Sequence, residues 1–172
     1  MNCVALLALM CWCALCGEAM HLMRPRPSPL DSAASWNNLN VMTKKAQSSD
    51  RDHETRLIPV ITSEMMKQED TCCINAMILN YYLENILQEH PTDRDYPSIG
   101  FVRSDLHRIA KDLEPHCKKD YSEHEHVKQF TDKYRKARAL YGDVTKARNK
   151  AVGETDILFH YLYESCTARK RV

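Results

Sequence analysis

The stretch Thr71-Cys-Cys-Ile-Asn-Ala-Met-Ile-Leu-Asn-Tyr-Tyr-Leu-Glu-Asn-Ile-Leu87 decides the fold. Ile74, Met77, Ile78, Tyr81, Tyr82 and Ile86 fall on one broad helical stripe, and Leu79, Leu83 and Leu87 widen it. A helix apolar over most of its surface sits in the middle of a protein, with other elements around it. The spacing predicts a helical stretch from Ser63 that turns apolar at Cys72, runs to about Glu89 and is ended by Pro91. After a turn at 91–98, Ile99, Val102, Leu106, Ile109 and Leu113 step by 3, 4, 3 and 4, an amphipathic helix stopped by Pro115. Ser122 and Glu125 read as a capping box. Behind it Val127, Phe130, Tyr134, Ala137 and Tyr141 repeat the same steps, with Gly142 just past the helix end. Asp143 is placed to cap a last helix whose stripe is Ala151, Thr155, Leu158, Leu162 and Cys166.

Upstream of the central stretch, a first helix is expected from Asp31 or Ser32 to about Gln47, with Trp36, Leu39, Thr43 and Ala46 on one face. Residues 48–62 read as a long connection that plugs Leu57, Ile58, Val60 and Ile61 into the core. No segment alternates with period two. The expectation is an all-α protein: a compact six-helix up-down bundle spanning 33–166, preceded by a proline-rich flexible arm at 20–32 and followed by a basic tail at 167–172.

Residues 3–16 form an uncharged apolar run of fourteen, too short for a membrane span and suited to a signal peptide. Gly17 and Ala19 fit the −3 and −1 positions of a cleavage site after Ala19; Ala14 and Cys16 offer an earlier one. The expectation is a secreted, extracellular protein with no membrane insertion. Of eight cysteines, Cys3, Cys11, Cys13 and Cys16 leave with the signal. Cys72, Cys73, Cys117 and Cys166 remain, in an oxidising compartment that favours two disulfides. A bond between the adjacent Cys72 and Cys73 would strain the peptide joining them. That leaves 72–166 with 73–117, or 72–117 with 73–166.

Catalytic chemistry is hard to write into this chain. Its 172 residues carry 24 Lys and Arg against 23 Asp and Glu, a formal charge of +1 that makes general nucleic-acid binding a poor reading. Four glycines permit no phosphate-cradling loop and no G-x-S-x-G elbow. His116, Cys117, His124 and His126 are the one cluster of zinc-ligand types. It is set aside because His124 and His126 would face opposite sides of a predicted helix and Cys117 is expected in a disulfide. Arg135, Lys136 and Arg138, with Lys146, Arg148 and Lys150, make a basic stretch that reads first as a solvated helix face, with weak attachment to anionic glycans as the alternative. No N-x-[ST] sequon occurs. No enzyme, metal or cofactor is expected. The residues alone lead to a disulfide-pinned helical bundle that works through its surface, or as a secreted carrier of small apolar ligands.

Three stretches choose between these. T-C-C-I-N-A-M-I-L-N-Y-Y-L-E-N-I-L at 71–87 resembles the cysteine-bearing core helix of the interleukin-10 cytokine family. K-A-V-G-E-T-D-I-L-F-H-Y-L-Y-E-S-C at 150–166 resembles its last helix, and the G-E-x-D-[IL]-L-F core points to the interleukin-22 branch. D-R-D-H-E-T-R-L-I at 50–58 resembles that branch's connection after the first helix. The resemblance covers most of 36–166 and is looser through 90–148.

The resemblance implies a class II cytokine that bridges a heterodimeric receptor, an interleukin-22 receptor chain plus the shared interleukin-10 receptor beta chain. That event would trigger Janus kinase and STAT signalling in epithelial defence, with a soluble decoy receptor as a further partner. By position it assigns Lys44, Asp50, Glu54, Arg56, Lys150, Gly153 and Glu154 to the high-affinity face and Asn37 to the low-affinity face. These residues fall off the apolar stripes, which predicts an exposed mixed-charge patch; charge reversal at Glu154 and Arg56 is then expected to spare the fold. Gly153 stands mid-helix, where a close approach by a partner would explain it. The resemblance also favours the pairing Cys72–Cys166 and Cys73–Cys117, since the doubled cysteine stands in for one that interleukin-22 relatives often carry before the first helix.

Overall fold

The computed structural model describes residues 27–52, 54–88, 91–142 and 144–167. The expected signal peptide, most of the arm, Asp143 with its capping role, and nearly all of the basic tail lie outside the described residues. Within them the chain is all-helical, with no strand. Its helices are α1 (Ala33–Ser49), α2 (Ser63–Met66), α3 (Thr71–Tyr81), α4 (Ile99–Leu113), α5 (Glu125–Tyr141), α6 (Val144–Gly153) and α7 (Thr155–Thr167). α3 continues into a π-helical turn at Tyr82–Ile86. Taking α6 and α7 as one helix interrupted at Glu154, the described residues hold six helices.

α3 is the hub. Thr71 through Ala76, then Ile78 and Leu79, are buried along it. Three ties to the C-terminal helices show that it runs antiparallel to them. Cys72 is bonded to Cys166, Asn75 Nδ2 donates to Ser165 Oγ at 3.2 Å, and Tyr82 Oη donates to the Ala151 carbonyl at 2.9 Å. Cys73 is bonded to Cys117, and Arg103 Nη1 reaches the Leu87 carbonyl at 3.4 Å, so α4 also lies antiparallel to α3. The disulfides therefore follow the first of the two pairings that the residues allow. α5 closes the other side, with Phe130 stacked on Tyr82 (ring centroids 5.2 Å) and set edge-on to Tyr81. α1 lies against α6 and α7, Trp36 meeting the edge of Phe159 at 4.7 Å. Tyr82, Tyr134, Phe130, Phe159, Leu39, Met42, Leu57 and Ile58 are each below 2 % exposed. Each such burial contributes about 1.5–3 kcal/mol.

Local chemistry moves several expected boundaries. The single helix from Ser63 to Glu89 is broken at 67–70, four exposed polar residues. Thr62 caps α2, and the Thr71 hydroxyl closes it by donating to the Met65 carbonyl at 2.5 Å. At its far end α3 loosens into the π turn, where Leu87 N donates to the Tyr82 carbonyl at 2.9 Å and Leu83, Ile86 and Leu87 all turn inward. The arm is anchored where it joins α1: Pro29–Asp31 form a 3-10 turn, Leu30 is buried, and Trp36 Nε1 donates to the Leu30 carbonyl at 2.9 Å. The Ser122 capping box does not form. Asp120 captures Ser122 through its amide at 2.8 Å and its hydroxyl at 3.1 Å, and the helix starts at Glu125 with His124 as its cap. Val60 faces solvent at 63 % exposed, while Leu57 and Ile58 are plugged in as expected.

Candidate functional site

The connection after α1 crosses the end of α5 and the outside of α6 and α7, and is fastened at four points. Asp50 Oδ2 accepts from Lys150 Nζ at 2.9 Å, and the same ammonium donates to the Asp52 carbonyl. The Lys150 side chain is 7 % exposed and Asp50's 17 %, so the pair is nearly dry. Desolvating two charges largely offsets their attraction, so this bridge fixes geometry more than it adds stability. Asp52 organises the bend: Oδ1 accepts from Glu54 N at 3.1 Å and Thr55 N at 2.9 Å, and Oδ2 accepts from the Tyr141 hydroxyl. Bonds from Thr55 and Tyr141 hold its carboxyl well below the usual carboxylate range. Burial, joined by the bond to Asp52, pushes the Tyr141 hydroxyl up to about 12.

The third point is Glu154. Its carboxylate accepts from Leu57 N at 3.0 Å through both oxygens and from Ile58 N at 2.8 Å. These two amides belong to the residues plugged into the core, so the carboxylate seats the plug. Burial raises the Glu154 carboxyl above its ordinary range, against the pull of the two amides, Lys150 and Arg56. The fourth point is Tyr161, whose hydroxyl accepts from Arg56 Nη2 at 3.0 Å and Ile61 N at 3.3 Å. Arg56 Nε also donates to the Ile58 carbonyl at 2.9 Å.

Beneath the loop, α1 touches the break between α6 and α7. Gln47 Nε2 donates to the Gly153 carbonyl at 2.7 Å and to Asp156 Oδ2 at 3.2 Å. A Cβ on Gly153 would stand 3.1 Å from Gln47 Cγ. The mid-helix glycine thus admits a close approach from the chain's own first helix.

The expected mixed-charge patch is corrected here. Lys44, Glu54 and Arg56 are exposed, and Asp50 is half-buried. Lys150 is 6 % and Glu154 9 % exposed, and Gly153 is buried. Loop 50–58 lies over Lys150 and Glu154, Gly153 meets Gln47 of α1, and their polar groups are used within the chain. Asn37 is exposed on the same side of α1 as Lys44, two turns or about 10 Å nearer the N-terminus. Asp52, Tyr141, Tyr161 and Gln47 are the members that sequence reasoning missed. The run Asp50-x-Asp52 carried a signal, because Asp side chains readily bond backbone amides two residues on; Asp50 Oδ1 accepts from Asp52 N at 3.0 Å. Tyr161 and Gln47 carried none.

The loop falls in the motif at 50–58, and Lys150, Glu154 and Tyr161 of its frame fall in the motif at 150–166. A family model described as interleukin 22, an IL-10-related T-cell-derived-inducible factor, matches residues 31–166. The chain belongs to the interleukin-22 family. The crystal structure of zebrafish interleukin-22 superposes with a TM-score of 0.71 at 48 % identity, covering 83 % of this chain and 98 % of that one. A search of curated proteins returned no match. Interleukin-22 proteins are cytokines and not enzymes, and members are secreted and act through class II cytokine receptors. No described helix is long and apolar enough to cross a membrane.

Two other expectations meet the structure. His124 lies before α5 as its cap, so its ring is 5.5 Å from that of His126 and the two do not face opposite ways. Cys117 is in its disulfide, and among the described residues no three His, Cys, Asp or Glu gather into a metal-sized group. A concavity of about 690 Å³ is an open groove between α4 and α3 with its π turn, with Glu84, Arg103, His107 and Lys111 in its walls. It is an open surface feature with charged walls, and a second concavity of about 640 Å³ lies beside the Cys72–Cys166 bond, lined by Leu30, Ile109 and Leu113.

Proposed function

We propose that this chain is exported and acts as an extracellular ligand for a class II cytokine receptor, with loop 50–58 as its main contact surface. Lys44, Glu54 and Arg56 meet the high-affinity interleukin-22 receptor chain directly, with Asp50 at the edge. Lys150 and Glu154 serve that face from below by holding the loop, and Gly153 by letting α1 pack close beneath it. The Asn37 side of α1 takes the shared interleukin-10 receptor beta chain, and joining the two starts Janus kinase and STAT signalling.

The observation that carries this reading is the loop itself. It is fastened from beneath by Lys150, Glu154, Tyr141 and Tyr161 while Glu54 and Arg56 stay exposed. A preordered charged surface binds without a large ordering cost and is steered by its field. Lys44→Glu with Glu54→Lys tests the face without touching the fastenings. Association with the interleukin-22 receptor ectodomain should slow and affinity should fall by about tenfold or more, equal to about 1.4 kcal/mol, at unchanged circular dichroism. Unaltered affinity in the double variant would remove this face from the interface.

A further inference from the structure

The charge of this nearly neutral chain is unevenly spread. Residues 133–150 hold seven Lys and Arg and a single acid, Asp143, a formal +6 against +1 for the whole chain. The remaining residues therefore carry −5. Loop 50–58 takes up Lys150 of the seven in a buried ion pair. On α5, four cations in six residues, Lys133, Arg135, Lys136 and Arg138, are all exposed. They form two i,i+3 pairs, Lys133 with Lys136 and Arg135 with Arg138, set on either flank of the helix's outer face. Members of a pair are about 4.5 Å apart along the axis. The acid alongside them, Asp132, meets Arg135 at 2.9 Å, with the two side chains 55 % and 74 % exposed. So exposed a pair is worth little and readily gives way to a stronger anion.

We propose that the outer face of the C-terminal half of α5 binds a sulfated, carboxylated polysaccharide of the cell surface or matrix. The two rows of cations suit a linear polyanion laid along the helix, each sulfate meeting a Lys or Arg from either flank. Other polyanions fit less well. The aromatic residues of this stretch are engaged inward, Tyr134 at 1 % exposed and Tyr141 donating to Asp52, so no stacking platform for nucleic-acid bases is offered. Leu140 is 80 % exposed, but one leucine is not the apolar face that a membrane-lying helix needs, and anionic lipid is concentrated in the cytoplasmic leaflet. The inference does not depend on which receptor the loop binds. Its effect would be to hold the protein near the cells that release it.

The test is retention on immobilised heparin and on its desulfated form. Wild-type protein should be retained on heparin at about 0.15 M salt, the physiological ionic strength, and pass through the desulfated column. The variant K133A/R135A/K136A/R138A should lose retention, with the slope of log affinity against log salt falling by roughly one unit per contact removed. Alanine is the best helix former, so this variant should fold with an unchanged circular dichroism spectrum. A charge-matched control, K45A/K67A/K111A/K118A, removes four exposed cations from elsewhere and should stay retained. Three results would overturn the proposal: equal loss in both variants, which makes net charge the cause; equal binding to desulfated heparin; or binding to phosphatidylserine vesicles without binding to heparin.

Discussion

Replacing Glu154 by alanine isolates what seats loop 50–58. The wild-type carboxylate accepts from Leu57 N and Ile58 N at 2.8–3.0 Å in a buried setting. Removing it leaves two buried amides unsatisfied, at about 1–3 kcal/mol each. The loop can recover part of that by lifting its backbone into water, which places the expected cost at about 2–4 kcal/mol. Lys150 keeps Asp50 as its counter-ion, so no orphan cation adds to the cost. At 1.4 kcal/mol per factor of ten, hydrogen exchange at Leu57 and Ile58 should quicken by roughly 30- to 700-fold. Amides of α5, such as that of Phe130, should change far less. Glu154→Gln, which keeps one acceptor oxygen, should fall about midway. Receptor affinity should drop alongside loop protection while the helical circular dichroism signal persists. Exchange at Leu57 and Ile58 within about threefold of wild type would refute the seating role. An equal loss of protection throughout the chain would show that loop and bundle open as one unit.

Three further expectations can be checked on the same protein. Burial pushes the hydroxyls of Tyr96 and Tyr141 up to about 12; a raised folded-state value means that their stabilising contribution is complete below about pH 10, where free tyrosine ionises, and is lost as pH rises from 10 through 12. Absorbance at the tyrosinate band should show these two ionising late, and Tyr141→Phe should delete one late step; ionisation of all tyrosines near 10 would contradict this. Cys72–Cys166 closes a separation of 94 residues and Cys73–Cys117 one of 44. Paired Cys→Ala changes should lower stability in urea by about 2–5 kcal/mol each, more for the longer loop, and the reverse order would refute the loop-closure account. Gly153→Ala gains about 1 kcal/mol of helix propensity but forces Gln47 Cγ away from 3.1 Å. The single change should be near neutral by thermal unfolding, and adding Gln47→Ala should alter the sign of its effect to stabilising; a glycine that is merely tolerated would give the same gain in both backgrounds.

Where the chain's chemistry is local, its sequence is easily read. α4 begins at Ile99 and ends at Leu113 as its 3, 4, 3, 4 stripe and Pro115 require, and the apolar density of 71–87 correctly puts that helix at the centre. Local signals fail where a neighbour competes for the same group. Asp120 takes the hydroxyl that Ser122 would have offered as a cap, and four polar residues at 67–70 divide a stretch whose helical pattern looked continuous. Non-local contacts are invisible to periodicity altogether. Lys150 and Glu154 sit off the apolar stripe, which is why they read as surface charges. They are buried because a loop about 100 residues away in sequence crosses over them. The break at Glu154 is hidden for the same reason: the stripe from Ala151 through Thr155 to Leu158 runs straight through it. The exposure of Glu54 and Arg56 was therefore legible in the sequence, but the burial of Lys150 and Glu154 beneath the loop was not.

The central claim is that this bundle is a receptor-bridging cytokine whose contact loop is held from beneath. STAT phosphorylation in cells carrying the interleukin-22 receptor chain and the shared interleukin-10 receptor beta chain tests it most directly. Purified protein should raise phosphorylation in those cells and not in cells carrying either chain alone, and Glu154→Ala should shift the dose response to higher concentration. No response with both chains present, or an equal response without them, would contradict the account.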